Sequence, residues 1–124
     1  MLEFHLLKDK GIVTLEPKAA LTVDDFKRVA ATVDPYLAET GSLKGLLINA
    51  NVFPGWESFA ALVEHLKFIR DHQRRVARIA FVTDNKLLKI PPHVVAHFAH
   101  PEIRVFSIAE RERALEWLEG EVLL

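Results

Sequence analysis

The chain reads as an α/β domain: a mixed, mainly parallel five-stranded sheet that begins with a β-hairpin and carries covering helices. Three observations lead there. Two short apolar runs at the start, Leu2 to Leu7 and Ile12 to Leu15, are separated by only Lys8-Asp9-Lys10-Gly11. Further short apolar runs then alternate with segments of helical period, the pattern of strands joined by crossover helices. One of those runs, Gly45 to Ala50, is apolar apart from Asn49, as suits a strand covered on both faces. At 124 residues the chain is one domain of ordinary size, able to bury a core without staples.

The hairpin comes first. Gly11 can supply the positive φ its four-residue loop needs. Glu3 and His5 alternate with Leu2 and Phe4, so one face of the first strand is polar. Pro17 ends the second strand. Thr22 is placed as an N-cap, with Asp24 and Asp25 in a first turn where carboxylates suit the helix dipole. Phe26, Val29, Ala30, Val33 and Leu37 follow at helical spacing. Pro35 falls inside that pattern and predicts a kink or a split near Asp34, because it removes a backbone bond and crowds the preceding turn. Gly41 is the stop.

After the central strand, the spacing predicts a helix that starts near Pro54 to Trp56. Its core face is read as Phe59, Leu62, Val63, Leu66 and Ile69, with His65, Phe68 and His72 outside. Val76 to Val82 is the fourth strand. Asp84 is placed as the N-cap of a short helix through Leu87 and Leu88. Pro91-Pro92 breaks that helix and restarts another, His93 to Ala99, which Pro101 closes. Ile103 to Phe106 is the fifth strand. Ser107 and Glu110 have capping-box spacing and open a last helix that Gly120 stops near Glu119, with Ala114, Leu115 and Leu118 inward. The order is ββαβαβααβα.

Composition excludes several function classes. Lys and Arg number 16, Asp and Glu 17, and the formal charge is −1, so no field steers the chain to nucleic acid. Cysteine is absent, which removes disulfides, thiolate chemistry and Cys-based zinc sites. The first residues lack a basic and an apolar region of signal-peptide type, and no apolar run approaches a membrane span; the expected location is cytoplasmic. No phosphate loop, dinucleotide glycine pattern or nucleophile elbow appears, so no catalytic residue is assigned and no cofactor is expected.

Several motifs together resemble the STAS domain family, and within it the SpoIIAA-like branch, sometimes grouped with CRAL-TRIO lipid-transfer domains. They are Phe53-Pro54-Gly55-Trp56-Glu57, His65-Leu66-Lys67-Phe68-Ile69-Arg70-Asp71-His72, Arg78-Ile79-Ala80-Phe81-Val82-Thr83-Asp84 and Ala114-Leu115-Glu116-Trp117-Leu118. The resemblance implies the SpoIIAA-like (STAS) fold over nearly the whole chain and no settled activity. In the antagonist proteins of that family, a Ser or Thr at the start of the helix after the third strand is phosphorylated. The matching loop here, Asn49 to Trp56, holds no hydroxyl, and Ser58 is the nearest candidate.

Sites in open α/β sheets collect at the carboxyl ends of strands. The expected contact surface is therefore the loop after the third strand and its helix: Asn49, Asn51, Phe53, Pro54, Gly55, Trp56 and Phe68. The expected function is a non-enzymatic regulatory or protein-binding domain, its partner another protein or a second copy of the chain. A small apolar or lipid ligand in a CRAL-TRIO-like pocket is the alternative. Arg70, Arg74 and Arg75 beside exposed aromatics would also suit a peripheral membrane contact. His93, His97 and His100 share about 60° of a helix face and form a weak metal candidate against a plain solvated face.

Overall fold

A computed structural model describes residues 1–52, 54–85 and 101–120. Phe53, the segment 86–100 and the last four residues lie outside them. So do the two expected helices through Leu87 and from His93 to Ala99, and with them the histidine candidate His93, His97 and His100.

The sheet has five strands in the order β1-β2-β3-β4-β5: β1 (Leu2–Leu7), β2 (Ile12–Pro17), β3 (Leu43–Asn49), β4 (Val76–Val82) and β5 (Glu102–Phe106). Only β1 and β2 are antiparallel; the remaining neighbours run parallel. The hairpin closes as its sequence requires. Leu7 pairs with Ile12, the Leu7 carbonyl accepts from the Gly11 amide at 2.9 Å, and Gly11 has φ 68°. β2 continues past Leu15 and has Pro17 as its last residue.

Helices cover both faces, which is why Gly45 to Ile48 in the middle of β3 are all apolar. Helices α1 (Val23–Thr40) and α2 (Phe59–His72) lie on one side of the sheet. Their core joins Val13, Leu21, Phe26, Val29, Val33, Leu37 and Ile79. Helix α3 (Arg111–Glu119) lies on the other side, over Ile12, Leu47, Ala80 and Val82, with Ala114 and Leu118 facing in and Leu115 packed beside them. Adjacent β3 residues serve opposite layers: Leu46 and Ile48 pack with the first core, Leu47 with the second. Gly45 is where α3 comes closest. A methyl group there would collide with the Leu118 side chain, whose Cβ and Cγ lie 3.0 Å from that position.

Helix α1 starts as expected and its cap is larger than expected. Thr22 and Asp25 form a reciprocal capping box: the Asp25 amide donates to Thr22 Oγ1 at 3.1 Å and the Thr22 amide donates to Asp25 Oδ2 at 2.9 Å. Asp25 is only 2% exposed, and it also accepts from the Leu2 amide at 3.2 Å and from Arg28 at 2.5 Å. Burial pushes this carboxyl up. The Thr22 amide, the Arg28 guanidinium, the Met1 amine and the Thr22 hydroxyl outweigh burial and hold it at about 2. The expected split at Pro35 does not occur; one helix runs through it. Pro35 and Ala31 are both exposed, so water can reach the carbonyl that the proline cannot bond. Gly41, at φ 88°, ends the helix.

The start of α2 is a correction. The helix begins at Phe59, with Ser58 as its N-cap, not near Pro54 to Trp56. Gly55 at φ 81° and an extended Trp56, bridged to Leu21, keep those residues out of the helix. At the other end of the chain, Ser107 and Glu110 make the expected capping box. It opens a 3-10 turn, Ile108–Glu110, that leads into α3, and Gly120 stops α3 at φ 73°. Asp84 Oδ1 accepts from the Ile108 amide at 3.0 Å, tying the exit of β4 to that turn; the helix it is expected to cap lies outside the described residues.

Candidate functional site

Residues after β3 cross the carboxyl rim of the sheet before entering α2. Asn51 fixes the crossing. Its side-chain oxygen accepts from the Asp84 amide at 2.9 Å, and its main-chain carbonyl accepts from Asn85 Nδ2 at 2.7 Å. The Ala50 amide donates to the Val82 carbonyl at 3.1 Å, so the exits of β3 and β4 are held together. Asn51 is thus built into the frame of the site. Asn49 lines two clefts at this rim. One, of about 180 Å³, lies beside Glu3, His5, Thr14, Glu16 and Arg111; the other, open and of about 480 Å³, runs past Pro17, Asn51, Val52 and Ile108.

The arm Pro54 to Glu57 is pinned by its backbone. The Leu21 amide donates to the Gly55 carbonyl and the Glu57 amide donates to the Leu21 carbonyl, both at 2.8 Å. Leu21 is adjacent to the Thr22–Asp25 box, so the α1 cap sets where the arm lies. Trp56 is 39% exposed. Its indole Nε1–H donates to His65 Nδ1 at 3.0 Å, and its ring centroid is 6.0 Å from that of His65. The other face of the site is the α1–α2 seam. The His65 ring stacks on Phe26 at 4.8 Å, and burial lowers its pKa.

The facing of α2 differs from the sequence expectation. Ala61 is fully buried, Phe68 packs against the main core, and His65 and His72 share that side. Phe68 lies 6.2 Å from Phe26 and stacks on His72 at 4.0 Å. His72 Nε2 meets Asp34 Oδ1 at 2.7 Å and Nδ1 meets the Phe68 carbonyl at 2.8 Å. Phe59 and Leu66, expected in the core, are instead 80% and 58% exposed. Apolar residues surround most of this helix, so period alone could not choose its inward side. The aromatic seam with Phe26 chose it. Phe68 therefore supports the site from beneath, and Phe59 and Leu66 occupy the outer position expected of Phe68.

Val52 is 70% exposed just before the arm. Ser58 is exposed and its hydroxyl accepts from the Ala61 amide at 3.1 Å. Among the described residues no group of three His, Asp or Glu side chains could hold a metal ion, and no helix is long and apolar enough to cross a membrane.

A family model described as SpoIIAA-like matches residues 12–119. Among solved structures, an uncharacterised protein of the DUF3478 family with a SpoIIAA-like fold, from Shewanella loihica PV-4, superposes with a TM-score of 0.71 at 21% identity. The alignment covers 95% of this chain and 92% of that one. No curated protein matches.

Proposed function

We propose that this chain, which belongs to the SpoIIAA-like family, works as a protein-binding domain without catalysis of its own. It meets its partner through the rim after β3 and the outer side of α2. The observation that carries the reading is the exposure of four large apolar side chains on the rim and the helix: Val52, Trp56, Phe59 and Leu66, of which Phe59 and Leu66 lie two turns apart on one side of α2. An exposed apolar helix side of this kind is a contact surface in waiting. In this reading Asn49, Asn51, Pro54 and Gly55 shape the rim, Trp56 is the aromatic anchor, and Phe68 holds α2 in place from below. Ser58 is the candidate position for a phosphate, which would replace a neutral cap by a dianion at the start of α2.

The clefts support a macromolecular contact over a small apolar ligand. The larger one is open to the surface and both have polar side chains in their walls, whereas an apolar ligand asks for an enclosed apolar chamber. The test combines two measurements. Sedimentation velocity reports self-association, and affinity capture from the cells that make the protein reports other partners. A Trp56→Asp, Phe59→Asp double variant should lose the association while keeping the native circular dichroism. A native protein that stays monomeric and captures nothing would overturn the reading.

A further inference from the structure

We propose that the Trp56–His65 hydrogen bond is a proton-sensitive contact, so that acid breaks the bond between the Trp56 anchor and α2. The inference rests on the reading of that arm as a contact surface and adds its regulation. An indole N–H can only donate. It points at His65 Nδ1 at 3.0 Å, so that nitrogen must offer its lone pair and the ring must be neutral, with its proton on Nε2. A second proton would sit on Nδ1 and place donor against donor. Turning the ring over would not restore the bond, because both nitrogens of the charged ring are donors. Stacking of the ring on Phe26 keeps it at the seam.

The charged groups on the elements around this pair are committed elsewhere. On α1, Asp25 holds Thr22, Leu2 and Arg28, and Asp34 holds His72. On α2, Glu64 pairs with Lys67 and Arg70 with Asp71. Further along α2, His72 Nε2 meets Asp34 of α1 at 2.7 Å. On the arm, the Glu57 carboxylate makes no hydrogen bond or ion pair among the described residues. The two backbone bonds to Leu21 do not titrate. What acid breaks is therefore the indole bond to His65, and not the backbone pins of the arm. Burial holds His65 below the ordinary histidine range, so the break falls at a more acid pH than for an exposed histidine.

Nuclear magnetic resonance tests this without any partner. The probes are the Trp56 indole N–H and the His65 ring nitrogens, followed from pH 8 downward in the whole protein, with the Trp117 indole as internal control. The expected result is an acceptor-type Nδ1 at high pH. The Trp56 indole signal should then shift with the His65 titration, and its solvent exchange should quicken roughly tenfold. His65→Gln, whose amide oxygen accepts at every pH, should hold the indole signal flat. A proton on Nδ1 at high pH would overturn the proposal. So would an indole signal unmoved while His65 titrates, or a His65 that stays neutral until the domain unfolds. Failure of the pH response leaves the contact reading standing, and a missing partner leaves the titration interpretable.

Discussion

Replacing Asp25 with Asn should weaken the domain by about 2 kcal/mol at neutral pH, and the size follows from the site. The native carboxyl sits at about 2 against an ordinary 3.8. At about 1.4 kcal/mol per unit, the charged form is favoured in the fold by about 2 kcal/mol. The native value lies below the unfolded one, so this contribution is complete above about pH 4 and fades as pH falls toward 2. Asn keeps the shape of the capping box but loses the charge that holds Arg28. Ala would also strand the Leu2 and Thr22 amides and cost about 3–5 kcal/mol. Urea unfolding of native protein and Asp25→Asn at pH 7, pH 4 and pH 2 is the assay. The gap should be full at pH 7 and nearly closed at pH 2. A variant within about 0.5 kcal/mol of native at pH 7, or a gap that persists at pH 2, would refute the assignment of Asp25 as the charged hub of the α1 cap.

Other outcomes follow from the same geometry. Gly45→Ala should destabilise by about 1–3 kcal/mol in thermal unfolding, because the new methyl group must push Leu118 and α3 off the sheet. Ser58→Ala removes the α2 N-cap and should cost about 1 kcal/mol by urea titration, mostly as fraying of the first helical turn in hydrogen exchange. Phe68→Asp should unfold the domain or cost more than about 3 kcal/mol, since it puts a charge into the aromatic seam. Phe59→Asp, at an exposed first-turn position where a carboxylate suits the helix dipole, should change stability by less than about 0.5 kcal/mol. Circular dichroism melts of those two variants side by side decide whether the inward side of α2 is assigned correctly.

The strands were legible because their burial is written into a period of two or into an unbroken apolar run. Leu46-Leu47-Ile48 needs cover on both faces, and α2 and α3 provide it. The N-cap at Thr22 and the capping box at Ser107 were legible because they are local chemistry. The side that α2 turns inward was not. Apolar residues surround most of that helix, and the outcome depended on Phe26 from α1, which no periodicity within α2 encodes. For the same reason the Trp56–His65 bond was invisible: it needs the arm fixed by Leu21, far away in sequence. The late helix start had a local signal, Ser58 three residues before the Ala61 amide it caps, and the proline at 54 drew the boundary too early. Asp25 was read for its dipole alone, since burial of a carboxylate shows only once β1 lies over the cap.

The account stands most directly on whether the outer side of α2 binds another protein. Affinity capture and sedimentation velocity should be run on the native protein, on Phe59→Asp with Leu66→Asp, and on a Lys44→Glu control at the opposite end of β3. The account predicts that native and control associate alike and that the double variant, still folded, does not. Equal association by all three would contradict it.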